Sequence, residues 1–398
     1  MSLDLLDRTA HPVSSHAIDL HPADTALPAG RQSLSRNALR TRLRAAKRAF
    51  TTRRIDLAQV QGLSDRTCVP APGDLLLARV TQVRQHPRIE NPEGRKVKLY
   101  AGDEIVVCYG DRYAPNQFEA RVPANLDDCH LVAGGGVASV MLERHSGMKP
   151  ATAIEPIGLL LGRDGAPLNV RSGALAARPM SGRAATRVLA VVGSSMDAGK
   201  TTTASHLIRG LSRAGLRVGA AKVTGTGSGG DLWQMIDAGA SHALDFTDAG
   251  HASTYMLSAE AVERVFHTLL GELAHRGVDV IVLEVADGLY QRETAALLRS
   301  DCFARAVDGL FLAVRDALSA VTGCAWLAEA GLPLLGVTGA INMAPLSVRE
   351  AEQATGLQVL GEAELTEPGR VTQRVFAPVP AVTHAPTARG PASVAAHA

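Results

Sequence analysis

One stretch constrains this chain more than any other: Val188-Leu-Ala-Val-Val-Gly193-Ser-Ser-Met-Asp-Ala-Gly199-Lys200-Thr201-Thr202-Thr203. An apolar, β-branched run ends in a loop of small residues, and the loop ends in Gly-Lys-Thr where a helix begins. Glycines let the backbone curl so that its N–H groups face an anion, and the helix N-terminus adds partial positive charge. A lysine at this position reaches the outer phosphates of a bound nucleotide, and the first threonine hydroxyl suits magnesium. The pattern predicts a phosphate-binding loop built from Gly193, Ser194, Ser195, Met196, Asp197, Ala198, Gly199, Lys200, Thr201 and Thr202. Five residues separate its two glycines, one more than in the common pattern.

Strands and helices alternate beyond Arg187. Apolar runs at 188–192, 217–223, 278–285, 309–314 and 334–337 read as five strands, separated by helical stretches. Residues 258–276 carry a capping Ser258 followed by Val262, Val265, Phe266, Leu269, Leu270 and Leu273 at helical spacing. Near-continuous apolar strands alternating with helices predict an α/β fold with a doubly wound parallel sheet, a P-loop NTPase domain over residues 187–378. Ligands of such sheets sit beyond the carboxyl ends of the strands.

The residues at those ends suit a phosphate ligand. The second strand runs into Lys222-Val-Thr224-Gly-Thr226-Gly-Ser228-Gly-Gly230-Asp231, where Lys222 and Thr226 are candidate catalytic groups and the glycines permit close approach to an anion. The third carries Glu284 after four apolar residues, the place for a magnesium-directed carboxylate, because a buried acid without a partner is costly. Thr201, Glu284 and Asp231 are the expected metal ligands, with Asp237, Asp245 and Asp248 as weaker candidates and Asp287 as a further acid. His242 and His251 fit no compact zinc spacing.

Upstream the pattern differs. Residues 1–32 lack periodicity and read as a disordered tail. Over 33–60, Leu39, Leu43, Ala46 and Phe50 fall at helical spacing opposite Arg40, Arg44, Lys47 and Arg48, which predicts a basic amphipathic helix docked on its neighbour. Short β-rich runs at 74–83 and 104–109, separated by Gly-containing turns, predict a small antiparallel barrel or sandwich, a β-rich, barrel-like domain over 65–165. Its polar loop of Tyr113, Asn116 and Gln117 is a candidate ligand contact, and His130 beside Cys129 reads as structural. Residues 166–186 read as a linker and 379–398 as a second disordered tail.

Composition bounds the function. A net charge of +2 gives no reason to expect nucleic acid as a partner, and no stretch is long and apolar enough to span a membrane. Five scattered cysteines without Cys-x-x-Cys fit reduced thiols in a cytoplasmic protein.

Residues 188–360 resemble the dethiobiotin synthetase-type P-loop proteins, which include the cobyrinic acid amide synthetases. The likeness lies in the five-residue gap before Gly199-Lys200-Thr201, in Lys222 with Thr226 and Gly227, and in Glu284 within an apolar strand. It implies ATP and magnesium as cofactors, an adenine contact at Asn342, and a ligase-type reaction activating a carboxylate or carbamate of a small acidic metabolite. Thr224-Gly-Thr-Gly and Asp245-Phe246 also resemble a P-loop family that includes a D-glutamate N-acetyltransferase, which implies coenzyme A as the phosphate ligand instead. The loop lacks the extra lysine that ParA-like partition ATPases carry near Ser195. A third reading, a nucleotide-dependent switch or metallochaperone, needs a partner surface, for which the basic segment 36–54 is the candidate. Homo-oligomerisation stays open.

Overall fold

The computed structural model describes residues 35–179 and 186–377. The expected tails at 1–32 and 379–398 lie outside the described residues, as do positions 180–185 of the expected linker.

The first unit is a β-barrel. Strand Glu104–Tyr109 pairs with Leu75–Gln82, which pairs with Thr152–Leu161, then Cys129–Ala133, then Val137–Arg144, all antiparallel. A short parallel contact, Val137 with Cys108 and Ala138 with Tyr109, joins the last strand to the first and closes the ring of five. Closure removes free sheet edges from a small domain that has few other ways to protect them. Inward-facing Leu76, Ala78, Val80, Ile105, Val107, Tyr109, Leu131, Ala138 and Ile154 form one apolar core.

The basic segment departs from expectation. The helix covers only Arg36–Ala45, capped by the Ser35 hydroxyl on the Ala38 amide, and buries Leu39 and Leu43. The chain then extends so that Lys47 and Arg48 pair with Ile105 and Val106 of the barrel, and Phe50 begins a 3-10 turn. Sheet pairing thus outcompetes continuation of the helix, and Ala46 and Phe50 are not on it. Its cations are largely committed: Arg42 makes a two-bond fork to Glu104 at 2.7 and 2.6 Å, Lys47 bonds Asp103, and Arg53 pairs with Asp248 at 2.7 Å. Arg36, Arg40 and Arg44 stay exposed.

The second unit is an α/β domain with six parallel strands. The order across the sheet is His242–Asp245, Val218–Lys222, Val280–Glu284, Arg187–Gly193, Gly309–Ala313 and Leu334–Thr338. The edge strand His242–Asp245 is additional to the five expected; its polar ends and four-residue length hide it from an apolar-run reading. Ser258 caps the long helix Ala259–His275 through the Ala261 amide, as its position predicts. Helices Glu362–Thr366 and Pro368–Phe376 pack on Lys200–Arg213, where a Cβ at Gly210 would lie 2.1 Å from the Leu365 carbonyl oxygen. Among the described residues no helix is long and apolar enough to cross a membrane.

The described part of the expected linker is packed rather than free. Val170 is buried with the barrel's second apolar cluster, Asn169 bonds Asp74 at 2.9 Å, and the Leu175 amide donates to the Asp248 carbonyl. The two units then meet across the loop that follows Lys222. Glu90 of the barrel accepts bonds from the Gly229 amide at 2.6 Å and the Ser228 hydroxyl at 3.1 Å. A Cβ on Gly135 would sit 2.1 Å from the Gly227 carbonyl oxygen, and one on Gly227 would sit 2.5 Å from Thr51. Gly135→Ala is therefore expected to cost about 1–3 kcal/mol through overpacking, seen as a lowered midpoint in chemical denaturation; an unchanged midpoint would refute this close approach.

Candidate functional site

Register brings the chemistry together. Lys222 and Glu284 are paired neighbours at the carboxyl ends of adjacent strands, and Val191, which leads into the loop, is the other neighbour of Glu284. The helix Lys200–Arg213 starts beside them, and the amides of its first turn have no intrahelical acceptor. The loop takes its shape from two left-handed residues, Asp197 with φ 60° and Gly199 with φ 98°. Only glycine fits at 199, since a Cβ there would lie 2.8 Å from the Ala340 nitrogen.

The cleft above these residues holds about 540 Å³. Met196, Asp197, Gly199, Lys200, Thr201, Thr202, Lys222, Thr226, Asp231 and Glu284 all line it, together with Asp287. The Thr201 hydroxyl lies 3.3 Å from Asp231 Oδ1 and 3.1 Å from Glu284 Oε1. Lys222 bonds Asp231 and sits 3.6 Å from Glu284. Glu284 is 1% exposed and its Oε2 has no partner. Two carboxylates and a hydroxyl on one spot, with an unsatisfied buried oxygen, fit a magnesium ion that takes its remaining ligands from water and phosphate. Within this cluster Lys222 balances the acids.

Burial dominates the electrostatics. It acts against the charge of Lys222, but Asp231 and Glu284 outweigh it and hold the ammonium above the usual lysine range. Burial raises Glu284 and Asp287, and Lys222 and Lys200 oppose the rise. Burial also lowers Lys200, whose Nζ donates to the Ser195 carbonyl at 2.8 Å.

Other expected residues have structural employment. Gly193 ends its strand paired with Ala313, and Cβ growth there would meet the Lys200 stem at 2.8 Å. The Ser194 amide donates to the Ala313 carbonyl, and the Ala198 carbonyl accepts from the Ala340 amide. Ser195 contributes its carbonyl, as above. Asn342 does not line the cleft; its amide nitrogen donates to the carbonyls of Gly339 at 3.2 Å and Leu360 at 3.0 Å, which fixes a turn after the last strand. Asp245 and Asp248 face Arg53 of the barrel side rather than the cleft, and Asp237 is exposed at a helix end. Trp233 packs against Gly94 of a barrel hairpin. His130 accepts from the Met141 amide, and Cys108 and Cys129 are buried, which pushes their thiols up to about 12. Among the described residues no group of three or more His, Cys, Asp or Glu is placed to hold a metal ion by itself.

The barrel supplies the opposite wall. Arg112, Tyr113, Ala114 and Gln117 line the same cleft, and Asn116 bonds Asp197 of the loop. The sequence marks Asp111 to Gln117 as a polar loop and Tyr113, Asn116 and Gln117 as its candidate contacts; Arg112 lies in the same loop and nothing in the sequence singles it out. Arg112 shares a bond with His86 Nε2 at 3.2 Å and donates to Gln117 Oε1 at 2.8 Å. Burial and the adjacent guanidinium push His86 down to about 4, so its ring is neutral near pH 7 and accepts from Arg112. The unfolded chain takes up a proton near 6.5 that the folded chain refuses until about 4. Stability from this group is therefore complete above pH 6.5 and lost as pH falls towards 4, by on the order of 3 kcal/mol. His86→Gln keeps an acceptor but cannot titrate; the difference in denaturation midpoint between it and the native chain is expected to shrink from pH 7 to pH 4.5, and a pH-independent difference would refute this.

No protein-family model matches the chain, and no curated protein matches it. Solved structures similar to part of it include the 54 kDa signal recognition particle protein of Aeropyrum pernix in complex with GDP, at 20% identity over 48% of this chain and 46% of that one, with a TM-score of 0.31. The signal recognition particle receptor FtsY of Elizabethkingia anophelis in complex with GDP is 16% identical over 48% of this chain and 64% of its own, TM-score 0.33. The kinase domain of the Escherichia coli tyrosine kinase ETK is 16% identical over 38% and 66%, TM-score 0.29. The chain thus spans about half to two thirds of these neighbours. Likeness of this extent carries no argument, and the α/β fold stands on the strand order and the loop. It is a P-loop fold.

Proposed function

We propose that the chain is an enzyme that binds ATP with magnesium in this cleft and uses it to activate a carboxylate or carbamate of a small acidic metabolite. The observation that carries the reading is the convergence of the Thr201 hydroxyl with Asp231 and Glu284, beside Lys200, at the ends of neighbouring strands. Thr201, Asp231 and Glu284 would hold the magnesium, which neutralises charge on the phosphates when bound. Lys200 and the first-turn amides stabilise charge on the phosphoryl group in transfer. Lys222 holds the two carboxylates in place and faces the cleft where an acidic acceptor enters.

The resemblance to dethiobiotin synthetases supports the ligase class. The coenzyme A reading uses the same loop but gives no task to the Thr201–Glu284 contact. The switch reading loses ground because Arg42, Lys47 and Arg53 are already paired within the chain. Thermal-shift and calorimetric titration with ATP, GTP and acetyl-CoA, each with and without magnesium, tests the proposal. Magnesium-dependent stabilisation by ATP is expected; stabilisation by acetyl-CoA alone, independent of magnesium, would refute it.

A further inference from the structure

Arg112 is a buried cation without an acid. It is 7% exposed, its Nε has no partner, its two hydrogen-bond partners, His86 and Gln117, are both neutral, and its remaining contact is the Phe118 ring at 5.6 Å, which carries no charge. No carboxylate lies within ion-pair distance among the described residues, and the acid that acts on it is Asp287, which lines the same cleft. Burial pushes its pKa down only to about 10, so the guanidinium stays charged at neutral pH. A guanidinium has five N–H donors, and two bonds leave most of that fork unspent. Desolvating such a charge without a counter-ion is costly unless a ligand supplies one. The strand that carries it, Arg112–Tyr113, belongs to the barrel, while the phosphate loop and the metal-directed acids belong to the α/β sheet. The Asn116–Asp197 bond ties the two walls together at the cleft.

We propose that Arg112 binds a carboxylate of the acidic substrate in a two-bond fork, so that the barrel is the substrate-recognition domain of the enzyme. A planar fork matches a carboxylate better than a point charge does. Lys200 already serves the phosphates from the opposite side. The inference rests on the cleft being the reaction site proposed above.

The test uses the full chain and calorimetric titration with succinate, glutarate and D-glutamate, each with and without a non-hydrolysable ATP analogue and magnesium, and with inorganic phosphate in a separate arm. At least one dicarboxylate is expected to bind the native chain. Arg112→Met is expected to weaken that binding by about thirtyfold or more, and Arg112→Lys, which keeps the charge in a buried site, to weaken it by less. The ATP analogue is expected to bind all three chains with affinities within about twofold, since Lys200 and the loop amides supply the phosphate contacts. Equal dicarboxylate affinity in the native and Arg112→Lys and Arg112→Met chains overturns the proposal, as does failure of every dicarboxylate to bind the native chain. Loss of analogue or phosphate binding in Arg112→Met with dicarboxylate binding intact also overturns it, because Arg112 would then serve the nucleotide. Failure of the analogue to bind the native chain overturns the nucleotide reading and leaves the dicarboxylate arm to decide on Arg112.

Discussion

Lys200→Met is expected to lower magnesium-dependent nucleotide turnover by about 10²–10³-fold or more, the scale of removing one preorganised donor from a developing charge. Lys200 is 6% exposed and its stem lies against Gly193, so the ammonium occupies a fixed place rather than sampling solvent. It donates to the Ser195 carbonyl, a neutral acceptor that a phosphate oxygen readily replaces. Methionine keeps the packed stem and deletes the charge, which separates catalysis from stability. Turnover at saturating nucleotide, followed alongside the thermal midpoint, reads the result. Undiminished turnover in a folded variant would remove Lys200 from the reaction.

Glu284→Gln has the second largest expected effect, and its signature is the metal. Glu284 Oε1 accepts from Thr201 and its buried Oε2 has no partner, so the carboxylate holds capacity that the protein itself does not use. Glutamine keeps the shape and removes the negative charge that a hard dication requires. The magnesium concentration needed for half-maximal nucleotide binding is expected to rise by at least about 10–100-fold, the loss that even changes behind a metal ligand produce. Lys222 retains Asp231, so the ammonium is not orphaned and the fold persists. A calorimetric magnesium titration in the presence of nucleotide checks this. An unchanged magnesium dependence would exclude Glu284 as a ligand.

Much of this candidate site is legible in the sequence. The strand–glycine–lysine run is legible because its glycines, lysine and helix start lie together in sequence, although contacts from Ala313 and Ala340 complete its shape. Glu284 stood out because an acid inside an apolar strand needs a purpose, and Lys222 because it ends one. The Ser258 cap was legible for the same local reason. Asn342 is read as an adenine contact from a family position alone, and its side-chain amide donates to the carbonyls of Gly339 and Leu360. The glycines after Lys222 invited a phosphate reading; Gly227 and Gly229 are instead small because Thr51 and Phe50 of the barrel side press against them. The helical stripe over 33–60 runs past the true helix end at Ala45, because it does not reveal that Lys47 and Arg48 have sheet partners in the barrel.

The chain by itself therefore determined the α/β class, the phosphate loop, and the lysine and glutamate beside it, since hydrophobic period and loop chemistry act over a few residues. Only the tertiary structure decided that the barrel closes on itself, that its Gly135 meets Gly227, and that Arg112 reaches the cleft above Lys200 and Glu284. Those outcomes depend on desolvation and packing between residues far apart in sequence. An arginine in a short turn reads as surface until the fold buries it without an acid.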